Sequence, residues 1–144
     1  GEAMQEAEYI SGIPDAVALA SYHVRKLELA CYFRHHILAL KYAELLESEV
    51  SSIELICPLI LAKKCFGGIT FLNEAKCTKA RYFMRKAKKE LKWLSKLVDA
   101  GCIDAKPFYL ILKAKFAAFQ KKDVEAIRME FDSAIKASID CGFQ

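Results

Sequence analysis

Residues 53–72 read IELICPLILAKKCFGGITFL. Apolar side chains fall almost all the way round a helix drawn through this segment. A helix with that pattern cannot lie on a surface, so it must be covered on more than one side. The rest of the chain must supply those covers. The run stops at Lys63 and Lys64, far short of the ~20 apolar residues that span a bilayer. Pro58 falls in the first turn of this segment, where a missing N–H costs little. Gly67 and Gly68 lie inside it, where they can kink the helix or admit a close neighbour.

The covers are also helical in pattern. Only six Gly and three Pro occur in 144 residues, and the chain is 54% apolar and 28% charged. That composition describes one folded domain with long helices, not a disordered chain or a set of short strands. Pro14 and Asp15 open a helix to about Phe33, with Val17, Ala20, Val24, Leu27 and Cys31 at helical spacing. A second, about 36–49, turns Leu38, Tyr42, Leu45 and Leu46 inward and Lys41, Glu44, Glu47 and Glu49 outward. Ser51 and Ser52 break the chain and offer an N-cap for the third helix, about 53–72. Asn73 is expected to end it and cap a fourth, about 74–99, which stops before Gly101. Pro107 opens a fifth to about Gln120, and Asp123 caps a sixth that Gly142 closes. The expected fold is all-α: three consecutive αα-hairpins, stacked as a tetratricopeptide-like (TPR-like) helical-repeat array, or α-solenoid. The second helices begin about 40–50 residues apart, within the range of helical-pair repeats.

Charge is concentrated in one place. Residues 76–96 hold nine Lys or Arg and a single acid, Glu90, within a net charge of +4 for the whole chain. At about 100° per residue, Ala80, Phe83, Met84, Ala87, Leu91, Leu94 and Val98 share one stripe of this helix. Arg81, Arg85, Lys88, Lys89, Lys92 and Lys96 lie opposite. Tyr82 and Trp93 form a second line, with Lys86 and Lys89 between them. Tyr82, Lys86, Lys89 and Trp93 are the candidate interaction strip. Such a strip can stack bases and pair phosphates. It can equally be a second packing line, with lysine stems laid over aromatic rings and the ammonium groups wet. The packing alternative is favoured, because a helix inside a stack touches two neighbours. Nucleic-acid binders more often build a basic face from several elements.

No catalytic constellation stands out. There is no Gly-rich phosphate loop and no G-x-S-x-G elbow. The cysteines are Cys31, Cys57, Cys65, Cys77, Cys102 and Cys141, with no C-x-x-C pair among them. They read as reduced structural thiols of a cytosolic protein. Cys31 and His35 are four apart, a spacing compatible with a metal, but no further ligand is near in sequence. No metal and no cofactor is therefore expected, and no enzymatic activity. The first fourteen residues are polar and acidic, unlike a secretory signal. Both ends look cut, so residues 1–144 are expected to be one helical domain of a longer chain.

Residues 81–143 carry a resemblance. "ELKWL" at 90–94, "FYLILKAKFAA" at 108–118, and then Asp123, Phe131, Asp132, Ala134, Ile135, Ala137, Gly142 and Phe143 follow a recognisable order. "ALKYAELLE" at 39–47 fits an earlier helix pair more faintly. The pattern resembles the TPR-like helical region of large multidomain sensor kinases. Those chains join a protein-kinase-like domain, an AAA-type ATPase module, GAF or PAS domains and a histidine kinase. Ala126 departs from the family spacing, standing five residues before Phe131 where four is usual, and Ile127 takes the small-residue position. The resemblance implies a non-catalytic scaffold or interaction module in cytosolic signal transduction. Its partners would be neighbouring domains or a protein or peptide. A stand-alone TPR-type adaptor, and a nucleic-acid binder through 76–97, are the alternatives.

Overall fold

The computed structural model describes residues 12, 15–49, 57–121 and 123–142. Six α-helices lie among them: α1 (Ala16–Tyr32), α2 (His36–Glu49), α3 (Cys57–Thr78), α4 (Arg81–Asp99), α5 (Ala105–Phe119) and α6 (Val124–Asp140). The described residues contain no strand. The fold is all-α, as the composition requires. Among these residues no helix is long and apolar enough to cross a membrane.

Helix α3 is central. It packs against α1, α2, α4 and α5, whereas α6 packs chiefly on α5. This is what an all-round apolar helix needs. Leu27 of α1, Leu46 of α2, Leu61 and Phe71 of α3, Leu94 of α4 and Leu112 of α5 are all fully buried and meet in one core. Gly68 lets α5 and α4 approach α3. A Cβ there would stand 2.7 Å from Leu112 Cδ2, 3.1 Å from Leu112 Cδ1 and 3.4 Å from Glu90 Cβ. At Gly67 the nearest atom would be Phe71 Cε2, at 4.0 Å. Both glycines are buried, so the two positions form a matched pair for a test. Alanine gains about 1 kcal/mol of helix propensity over glycine, while overpacking a tight core costs about 1–3 kcal/mol. Gly67→Ala should therefore be neutral or stabilising in urea melts, and Gly68→Ala should be less favourable than Gly67→Ala and destabilise by up to about 2 kcal/mol. Equal effects at the two positions would show that Leu112 does not press on Gly68.

Local chemistry sets the helix ends. Asp15 accepts from the Val17 N–H at 3.0 Å, and Asp123 from Glu125 and Ala126 at 3.1 and 3.4 Å. These satisfy N–H groups that the first turn leaves open. Each described turn carries one residue in the left-handed region: Arg34 (φ 58°), Lys79 (φ 56°), Gly101 (φ 87°) and Lys121 (φ 52°). Gly142 (φ 76°) does the same after α6. At Gly101 the following residue, Cys102, donates back to Leu97 O at 2.9 Å, and His35 donates likewise to Ala30 O at 2.8 Å. These are Schellman closures. Glycine fills such a position without the Cβ penalty that Arg34, Lys79 and Lys121 bear.

The third helix departs from its expected end. Asn73 neither stops α3 nor caps α4; it lies within α3, which runs on to Thr78. Ala75 is buried one turn from the end, so the apolar face still has neighbours to pack on. The stop comes at Lys79. There Thr78 Oγ1 donates to Glu74 O at 2.8 Å and accepts from the Ala80 N–H at 3.3 Å. Helix α4 then starts at Arg81 with no side-chain cap bond from Ala80. Two other expectations also change. Leu38 is 45% exposed rather than inward, and Glu47 is half-buried because it bonds to Lys86 of α4. Pro14, Ser51, Ser52 and residues 53–56 lie outside the described residues.

Candidate functional site

Three of the four strip residues of α4 fall into two clusters, Tyr82 with Lys86 and Trp93 with Lys64 of α3. In the first, the Lys86 ammonium sits over the Phe71 ring at 4.8 Å and the Tyr82 ring at 4.5 Å, and donates to Glu47 Oε2 of α2. Burial lowers the Lys86 pKa, but its hydrogen bonds to Glu47 and Tyr82 outweigh that, and the net shift is upward. The group therefore stays charged and ties α2, α3 and α4 together. Tyr82 is 53% exposed and meets Phe83 edge-on at 5.3 Å. In the second cluster, Trp93 is half-buried against the core with Lys64 of α3 5.4 Å from its ring centroid. Lys64 Nζ also stands 2.8 Å from Glu90 Oε2. The approach is a close ion contact without hydrogen-bond alignment, and Oε2 is left without a hydrogen bond. Lys89 is exposed between the clusters, as are Arg81, Arg85, Lys88, Lys92 and Lys96.

Glu90 is the member that the residue pattern does not single out. It is 5% exposed. In the sequence it is one acid in a basic run, and its partner sits on another helix.

A polar cavity of about 440 Å³ opens where the end of α1, the first turn of α2, the C-terminal half of α3 and α5 converge. Cys31 and Thr70 are among its less exposed lining residues. Cys31 Sγ lies 3.4 Å from Thr70 Oγ1, which itself donates to Phe66 O at 2.8 Å. Asn73 and Glu74 line the α3 wall one turn further on, followed by Lys76 and Cys77. Arg34 enters from the left-handed turn, His36 from the start of α2, and Lys115 from α5. Lys115 also lies 5.9 Å from the Phe131 ring of α6. None of Arg34, Lys76 or Lys115 forms an ion pair with a described carboxylate. Nothing in the sequence pattern joins these residues, because they come from different helices. The left-handed Arg34 is what brings the first of them to the rim.

Burial shields two of the thiols. Cys31, Cys65, Cys77, Cys102 and Cys141 are free. Burial pushes the Cys31 thiol up, partly offset by Thr70 and Lys115, and pushes that of Cys65 up much further. A raised pKa keeps the thiolate scarce at neutral pH and the sulfur unreactive. His35 does not share a helix face with Cys31. It lies beyond the end of α1, past the left-handed Arg34.

Comparison with family models, with curated proteins and with solved structures found no match.

Proposed function

We propose that this chain is a non-catalytic, TPR-like scaffold and interaction module of a cytosolic multidomain signal-transduction protein of the sensor-kinase type. The observation that carries the reading is the order of helix contacts. Helices α1 and α2, α3 and α4, and α5 and α6 pack as pairs. Each first helix also touches the first helix of the next pair, α1 on α3 and α3 on α5. The second helix of each pair touches the first of the next, α2 on α3 and α4 on α5. Displacement by one pair at a time is the contact order of a stacked helical array, in which each repeat buries its face on its neighbours. The resemblance over residues 81–143 supplies the parent architecture. In that architecture the array would hold neighbouring domains or a protein partner at a fixed spacing.

Truncation tests the stack. Removing residues 102–144 uncovers the sides of α3 and α4 that α5 packs on, including the contact of Leu112 with Gly68. The remaining chain should aggregate or lose its cooperative melt in calorimetry and light scattering. A fragment 1–101 that stays monomeric and melts as sharply as the whole would overturn the stacked-array reading. A reading frame with no kinase, ATPase or sensor module on either side would overturn the sensor-kinase parent. A stand-alone adaptor would then remain.

One observation favours a second reading, an acidic or nucleic-acid partner on α4. Six cations of that helix face solvent. Binding of single-stranded RNA or DNA that falls steeply with salt, and that weakens in Lys88→Gln/Lys89→Gln/Lys92→Gln, would establish it.

A further inference from the structure

We propose that the cavity between α1, α2, α3 and α5 is a binding site for a small hydroxylated phosphomonoester, of the sugar-phosphate type. The inference is independent of the scaffold reading, since it rests on the cavity alone.

Charge comes first. Arg34, Lys76 and Lys115 face the cavity from a turn and two different helices, and Glu74 is its single carboxylate. With His36 neutral, the lining carries a surplus of two positive charges. A phosphomonoester carries about −1.5 to −2 at neutral pH, with three strong acceptor oxygens. Three cations lining one cavity from three elements offer charge-assisted donors to such oxygens, and an arginine can meet two. The backbone does not work against this. The carbonyls of Ala30 and Cys31 at the end of α1 are already taken by the N–H groups of His35 and Arg34.

Size and lining then narrow the class. About 440 Å³ lies within the range of small-molecule sites and far exceeds a bare phosphate ion. Asn73, Glu74 and Thr70 also border the space, beside the apolar Ala30, Ala39 and Ile69. An amide and a carboxylate offer both donors and acceptors to sugar hydroxyls. Among the described residues His36 is the one ring in the lining, and they offer no phenyl or indole platform for a purine or pyrimidine. That disfavours a nucleotide and favours a polyol or sugar body. The proposal is for binding alone; the Cys31 thiol lies 3.4 Å from Thr70 Oγ1 and burial raises its pKa.

The test is calorimetric titration of the whole chain with glucose 6-phosphate, glycerol 3-phosphate, glucose and inorganic phosphate. At least one of the two phosphomonoesters should bind about tenfold or more tightly than inorganic phosphate, and glucose should not bind. Lys76→Gln and Lys115→Gln should each weaken that binding by about tenfold, the loss expected for one charge-assisted contact. Both side chains are exposed at the rim, so the variants should keep the parent helicity by circular dichroism. Lys92→Gln, on the solvent face of α4, should bind as the parent does. No heat with either phosphomonoester at millimolar concentration would overturn the proposal. So would equal binding of inorganic phosphate, binding of glucose alone, or a loss in Lys92→Gln as large as in Lys76→Gln.

Discussion

Lys64→Met should destabilise the protein by about 3 kcal/mol, the low end of the ~3–5 kcal/mol lost when one partner of a buried ion pair is removed. The low end applies because 17% of the Lys64 side chain reaches solvent, against 7% for Glu90. What the substitution leaves behind is a carboxylate between α3 and α4 with one oxygen already lacking a hydrogen bond. It also removes the cation from the Trp93 ring. Glu90→Leu alone should cost less, since the lysine can extend its head group toward water while its stem stays packed. The double variant Lys64→Met/Glu90→Leu should recover most of the loss, because apolar replacement of a buried pair is often neutral or stabilising. Urea melts of the four proteins close a double-mutant cycle. If the double variant simply adds the two single losses, the pair carries no coupling and the account is wrong.

Phe71→Ala should cost about 3–5 kcal/mol, the usual loss for a large aromatic removed from a closed core. For a chain of this length that corresponds to a fall in Tm on the order of 10 °C. Among the described residues Phe71 is the largest fully buried side chain, 1% exposed. It stacks on Phe83 of α4 at 6.3 Å and 19° between planes, and carries Lys86 on its ring. Its loss would open a cavity and remove one of the two rings that hold the Lys86–Glu47 bridge. Trp93→Ala should be milder, because Trp93 is only half-buried. A larger loss at Trp93 than at Phe71 would mean that the α3–α4 contact is centred on the tryptophan and not on the phenylalanine.

These two sites mark where the residue pattern runs out. The stripe Ala87, Leu91, Leu94 and Val98 is legible from helical spacing alone, and it packs on the core. Glu90 shares that interface, yet nothing in a run of lysines marks an acid as buried. Only Lys64, twenty-six positions earlier and on another helix, explains it. Lys86 is similar. Periodicity places it between Tyr82 and Trp93, but its contact with Glu47 and Phe71 depends on how α2 and α3 pack on α4. Cavity residues Arg34, Lys76 and Lys115 have no shared spacing at all.

Backbone chemistry explains which helix ends were readable. Asp15, Asp123, Gly101 and Gly142 act through bonds or dihedrals within a few residues of themselves. Asn73 misled because a capping residue type inside a helix looks the same as one at its end. The difference is whether the next turn has a core to bury in, and Ala75 does.

By itself, then, the sequence determined that the chain is helical, that the segment apolar almost all round must be covered by several other helices, and that glycine or aspartate closes particular ends. Each of these follows from local sterics, hydrogen bonding and a period of 3.6 residues. Tertiary structure decided which polar groups are buried, which lysines are tied to acids, and which cations converge on one cavity. Those outcomes depend on distances between residues far apart in the chain, which the packing of α3 against four neighbours sets.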